Sequence, residues 1–184
     1  MTIPRTMTTL QPGDLLATRG NGWGSFMIRL GAAFRDEPNL INHIAIVMHS
    51  DNAGTLWCLE GRPGGVGWKD ATGYLRSKYT MCNRTQPKTD AQRKIITDGA
   101  KALIGTPYDW QAIVADAGGA MGPVLDRVWQ LKWRKTGVPG HVVCSSLADY
   151  LYEKAHLANP EKEREVSPAD WLDLWIKNGW ATRP

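Results

Sequence analysis

The sequence predicts an α+β fold, with a few short strands toward the middle of the chain and amphipathic helices at both flanks. Two observations carry this. Strand-sized apolar segments cluster at 14–18, 41–49, 55–60 and 79–83, while helical spacing recurs at 25–34, behind 89, at 123–135, at 142–157 and behind 167. The two types do not alternate strictly, which argues against a doubly wound parallel sheet. A chain of 184 residues fits one domain, residues 1–184, and can bury roughly 70% of its unfolded surface without staples.

Each element has local grounds. Pro12-Gly13 is a turn signal, and Asp14 to Thr18 after it is a short strand. Residues 19–24 are Gly-rich and read as a loop. Phe26, Met27, Leu30 and Phe34 then fall at helical spacing. Residues 41–49 are the clearest strand, with Ile44, Ile46 and Met48 on one face and His43, Ala45 and Val47 on the other. His49 reads as a turn residue behind it. Residues 51–54 form a turn, and 55–60 return as an antiparallel partner. The glycines and proline of 61–67 predict a mobile loop, and 79–83 a third strand in sequence after that pair.

Thr89 and Gln92 match a capping box. The helix behind them places Ile95, Ile96, Ala100 and Leu103 on one side, and Gly105 and Pro107 end it. Gly118, Gly119 and Gly122 interrupt the next, Ala-rich stretch. Val124, Val128 and Leu131 give 123–135 an inward face. Leu147, Leu151 and Ala155 are in register along 142–157, and Ser167-Pro168 opens the last helix with a capping serine.

Composition narrows the functions. Lys plus Arg is 22 and Asp plus Glu 18, a net +4. That suits an anionic partner but falls short of the dense positive field of a nucleic-acid binder, so no nucleic-acid partner is expected. The three cysteines, Cys58, Cys82 and Cys144, are an odd number and make a disulfide scaffold untenable. Nine tryptophans against two phenylalanines suggest surfaces part apolar and part wet. The first ten residues lack the apolar stretch of a secretory signal, and no run nears a membrane span. The expectation is a soluble protein, cytoplasmic as made, that needs another route to any site outside the cell.

One thiol has a chemical setting. Cys144 follows a Pro- and Gly-bearing loop at the start of a helix, where partial positive charge and unpaired N–H groups favour thiolate. The alternative is a small buried hydrophobe, which most free cysteines are. His43 is the candidate base, because an ionisable ring in an apolar strand costs desolvation unless it is paired. The alternative there is a satisfied core histidine. Glu60 ends the second strand within reach of His43 if the strands form a hairpin, and could then hold the ring in one tautomer. An ordinary surface glutamate at a strand end is the alternative. His141 is close in sequence to Cys144 but points poorly from there, and His156 sits at a helix end.

Six segments in order resemble the circularly permuted branch of the NlpC-type papain-like superfamily, the group that includes YiiX-like proteins. They are Gln11-Pro-Gly-Asp-Leu-Leu, Asn42-His-Ile-Ala-Ile-Val, Leu59-Glu60-Gly61 with Gly65-Val66, Gly105-Thr-Pro-Tyr-Asp-Trp, Val143-Cys-Ser-Ser-Leu and Val166-Ser-Pro-Ala-Asp-Trp-Leu. The resemblance implies a permuted papain-like fold, with a small antiparallel sheet or half-barrel packed against helices. It implies Cys144 as nucleophile, His43 as general base and Glu60 as the ring-orienting third member, with Tyr108 and Ser145 at the substrate. The chain order His, Glu, Cys differs from the unpermuted Cys, His, polar order, which geometry and role permit. Ala45 stands where the family favours Gly, and Ser146 where it favours Glu, a change that bears on how the nucleophile helix is anchored.

The activity implied is that of a cysteine peptidase or amidase on bacterial cell-wall peptide, in a phage-borne, virion-associated or wall-released setting. A lipid acyl hydrolase or acyltransferase and a non-catalytic wall- or virion-binding module are the rivals. Arg127, Lys132, Arg134 and Lys135 share a segment with Trp129 and Trp133 that could rest on an anionic surface. A solvated charged face over packed tryptophans is the plainer reading. The stretch 116–141 also fits a helical insertion or lid beside the cleft. Cys58 and Cys82 read as inert core thiols. No cofactor or metal is expected, since the histidines lack ligand spacing and no C-x-x-C occurs.

Overall fold

The structure is a computed structural model and describes residues 10–19, 41–109, 143–160 and 166–184. The helices expected at 25–34 and 123–135, the stretch 116–141 with Arg127, Lys132, Arg134 and Lys135, and His141 lie outside those residues. The described strands are β1 (Leu15–Thr18), β2 (His43–Ser50), β3 (Leu56–Arg62), β4 (Gly65–Asp70) and β5 (Met81–Cys82). The described helices are α1 (Asp90–Ala102), α2 (Cys144–Lys154) and α3 (Pro168–Lys177), and a 3-10 turn covers Thr72–Arg76. The α+β class expected from sequence is what forms. All strand pairs are antiparallel, in the order β4-β3-β2-β1-β5.

The alternation in β2 separates two cores. Ile44, Ile46 and Met48 face a large cluster with Leu15 and Leu59 from the sheet, Leu147 and Leu151 from α2, and Trp171 and Trp175 from α3. Ala45 and Val47 face a smaller cluster with Leu16, Leu56, Cys58 and Cys82, against which Tyr74 and Leu75 of the 3-10 turn pack. The helices therefore cover one face of the sheet and the 3-10 turn the other. Thr89 caps α1 as expected, with its N–H donating to Gln92 Oε1 at 2.9 Å and its hydroxyl accepting from Gln92 N at 3.2 Å. Ser167 and Asp170 make the same exchange at α3.

Four expectations are corrected. Residues 61–67 are not a loop, because β3 continues to Arg62 and turns back through Pro63 and Gly64 to pair Arg62 with Gly65. Gly64 and Gly65 have φ of 101° and 103°, which tight reversal needs and most side chains resist. Gly65 also lies under the Thr106 carbonyl, whose oxygen would stand 2.7 Å from a Cβ there. The glycines thus mark close approach within a sheet rather than mobility. Ile95 is 41% exposed while Ile96 and Ala100 are buried, because the helix stripe is narrower than the four residues assigned to it. Finally, β2 runs through His49 to Ser50, with a bulge between Val47 and His49, and the strand expected at 79–83 shrinks to two residues beside β1.

A buried polar knot ties the helices to β1. Asp14 Oδ1 accepts from Lys88 Nζ at 3.0 Å and Arg93 NH1 at 2.9 Å, while Oδ2 accepts from Gln11 N at 2.9 Å. Tyr152 of α2 donates to the Gly13 carbonyl at 2.8 Å and accepts from Asn83 Nδ2 at 2.9 Å. Buried charge is tolerated when paired and hydrogen-bonded in this way. Among the described residues no helix is long and apolar enough to cross a membrane.

Leu151 is fully buried at the meeting of α1, α2 and the sheet, and one of its methyl groups fills the space a Cβ would take at Gly99. Leu151→Ala should lower the unfolding free energy by about 2–5 kcal/mol in urea titration, the range for a large cavity in a packed core. A loss below about 1 kcal/mol would show that α2 is not anchored there.

Candidate active site

The register of β2 and β3 assembles the first pair of groups. Val47 faces Cys58, so Ala45 and His43 on β2 and Glu60 on β3 follow at even spacing on the same face. His43 Nε2 donates to Glu60 Oε2 at 2.8 Å. The Tyr74 hydroxyl donates to the same oxygen at 3.0 Å. Glu60 is buried, with 3% of its surface exposed, so it is not the surface glutamate that a strand end suggests.

The thiol arrives from the opposite layer. Cys144 is the first residue of α2, with Val143 as the extended residue before it. Its placement at a helix start matches the sequence reading. First-turn amides of a helix have no partner within it, so the N–H groups of Cys144 and Ser145 make no bond within α2. Gly61 makes the approach possible. A Cβ at 61 would stand 3.3 Å from Cys144 N and 3.4 Å from Val143 C, so a side chain there would press on the helix start. Ser146, where the resemblance leads one to expect Glu, still caps the helix. Its Oγ accepts from Val143 N at 3.0 Å and donates to Val143 O at 3.1 Å. A short hydroxyl thus does what a third-position carboxylate does in a capping box.

With Nε2 committed to Glu60, Nδ1 is the ring nitrogen left for the sulfur. Burial works against charge on the His43 ring. The charge of Cys144 and its hydrogen bond, then the hydrogen bond and charge of Glu60, outweigh burial and push the pKa up to about 10. Burial would likewise raise Glu60, but the hydrogen bond and charge of His43, the Tyr74 hydroxyl and the Arg62 guanidinium hold it below its ordinary value. The signs define a window. The raised His43 contributes in full below its ordinary 6.5, and its contribution fades as pH rises through about 10. The lowered Glu60 contributes above its ordinary value and is lost as pH falls through the depressed one. The charged pair therefore spans the neutral range.

Cys144, His43 and Glu60 are brought together as the sequence suggested. Ser145 is buried at the second helical position, and its carbonyl accepts from Trp171 Nε1 at 3.4 Å. Tyr108 is half-buried just past a clamp in which Gly105 N donates to Val66 O and Val66 N to Thr106 O, each at 2.9 Å. Val66 pairs with Gly61, so the clamp reaches the site through β4. His49 lies at the far end of β2, edge-on to Trp68 with ring centres 5.7 Å apart. All three thiols are buried, Cys144 with 2% of its surface exposed; desolvation pushes those of Cys58 and Cys82 up, which fits inert core residues. No local sequence signal marks Tyr74. It is a single tyrosine in a polar stretch, and only the fold of the 3-10 turn over β3 brings it to Glu60.

No protein-family model matches the chain, and no curated protein matches it. Among solved structures, the fold is similar to that of a metalloprotein, YiiX from Escherichia coli O157:H7 (DUF1105), with a TM-score of 0.51 and 15% identity. The match covers 80% of this chain and 67% of that one. The likeness is one of fold. Among the described residues no group of three His, Cys, Asp or Glu side chains is placed to hold a metal ion.

Glu60→Gln removes the charge that faces His43. In histidine NMR titration the His43 midpoint should fall from about 10 toward 6.5. A midpoint unchanged from wild type would show that Glu60 does not hold the imidazolium.

Proposed function

We propose that the protein is a cysteine hydrolase of the permuted papain-like kind, cleaving an amide bond in the peptide of bacterial cell walls. The observation that carries this reading is the His43 ring, bonded through Nε2 to the buried Glu60 and pulled toward charge by Cys144. A nucleophile, a base and a group that orients the base are the parts that acyl transfer needs. The fold shared with YiiX supports the scaffold. The wall-peptide substrate rests on the family resemblance, and the net charge of +4 suits an anionic polymer.

In the proposed reaction the Cys144 thiolate attacks the scissile carbonyl. The carbonyl oxygen gathers negative charge facing the N–H of Cys144 or Ser145. Such donors are typically worth about 3 kcal/mol to the transition state. As the tetrahedral intermediate collapses, the His43 imidazolium gives its proton to the leaving nitrogen, leaving an acyl thioester on Cys144. Neutral His43 then takes a proton from water, and the hydroxide attacks the thioester. Collapse releases the acid and restores thiolate and imidazolium. Glu60 keeps its charge throughout and stabilises the imidazolium.

Purified peptidoglycan incubated with the protein should release soluble peptide fragments, and Cys144→Ala should abolish release by at least about a thousandfold, as loss of a nucleophile does. Equal release by wild type and Cys144→Ala would remove Cys144 from the role. No release by either would remove the wall peptide as substrate.

A further inference from the structure

We propose that Tyr74 is a positioning residue of this site: its hydroxyl fixes the Glu60 carboxylate, and through it the His43 ring, in the orientation that serves Cys144. The proposal rests on the reading of His43, Glu60 and Cys144 as the catalytic groups. Three observations support it.

The first is convergence. Tyr74 Oη and His43 Nε2 both donate to Glu60 Oε2, at 3.0 Å and 2.8 Å. A carboxylate with donors on different oxygens can pivot and keep one of them. One with two donors on the same oxygen loses both when it turns. The hydroxyl therefore holds the oxygen that the histidine uses.

The second is contact with the ring itself. Tyr74 stands edge-on to His43, with ring centres 6.3 Å apart and planes at 67°. That arrangement packs one ring edge against the other face. Tyr74 thus touches both members of the pair, one by hydrogen bond and one by packing.

The third is that Tyr74 is itself held. Ala71 N donates to Leu56 O at 2.8 Å, and Leu56 N donates to Thr72 Oγ1 at 3.0 Å, which fastens the start of the 3-10 turn to β3. Thr72 N donates to Asp70 Oδ1 at 2.9 Å, fixing the exit from β4. Tyr74 N closes the turn on Ala71 O at 2.9 Å, and the buried Ala71 packs into the smaller core beneath. β3 carries Glu60, so the strand that supplies the carboxylate also anchors the residue that holds it. A side chain can position another only if its own backbone is fixed, and this one is.

Tyr74→Phe keeps the ring and its packing and removes only the hydroxyl, so it leaves folding intact and isolates the hydrogen bond. Two spectroscopic readouts follow, neither of which uses turnover. The Glu60 carboxyl, read by carbon NMR across pH, should titrate about one pH unit higher in Tyr74→Phe, because a donor to the charged form is gone. The His43 Nε2–H proton, held between ring and carboxylate, should exchange with water about tenfold faster, as the carboxylate pivots away. Glu60 and His43 signals that match wild type in both respects would overturn the proposal. So would a shifted Glu60 with unchanged His43 exchange, because the hydroxyl would then tune the carboxylate without positioning the ring. Inactivity of the wild type on peptidoglycan would count against the hydrolase reading alone and would leave both readouts standing.

Discussion

Glu60 is a carboxylate taken out of water, and it keeps its charge there because two donors converge on one of its oxygens. An unpaired charge so placed would be costly enough to drive protonation instead. The His43–Glu60 bond therefore constrains its surroundings. β2 and β3 must hold a register that puts His43 and Glu60 on one face, and the 3-10 turn must cross beneath to bring Tyr74. Arg62, the last residue of β3, adds a guanidinium that favours the same charge. The site is a consequence of how this hairpin is paired.

The thiol depends on a separate set of supports. α2 packs on the opposite face of the sheet through Leu147, Leu151 and Tyr152, and its far turn is tied to β1 by the Tyr152 hydroxyl. Gly61 lets its first turn settle against β3, one residue beyond the glutamate. Two layers with different anchors meet at this point. Asp14, in the opening segment of the family resemblance, bonds Lys88 and Arg93. It secures the scaffold on which Cys144, His43 and Glu60 are brought together.

Much of this was legible in the sequence where the signal is local. The alternation of 41–49 fixed which residues of β2 face which core, the Thr89 and Ser167 caps marked two helix starts, and Cys144 lies at the head of its helix. Long-range contacts were less legible. Gly65 reads as a loop glycine, yet it is a strand residue under the Thr106 carbonyl, a contact 41 residues away that composition does not encode. Tyr74 carries no local mark of its bond to Glu60, because that bond depends on a turn crossing the sheet. Ile95 differs from Ile96 by one step around a helix, and only packing against α2 decides which is covered.

If the His43 ring held by the buried Glu60 activates Cys144, the reactivity of the thiol itself reports it. Native protein is treated with iodoacetamide at pH 6, and alkylation of the Cys144 peptide is timed by mass spectrometry beside the same cysteine in unfolded protein. An imidazolium held against the thiol predicts alkylation at least about tenfold faster in the native state. Equal or slower native alkylation would contradict that activation and leave Cys144 an inert core thiol.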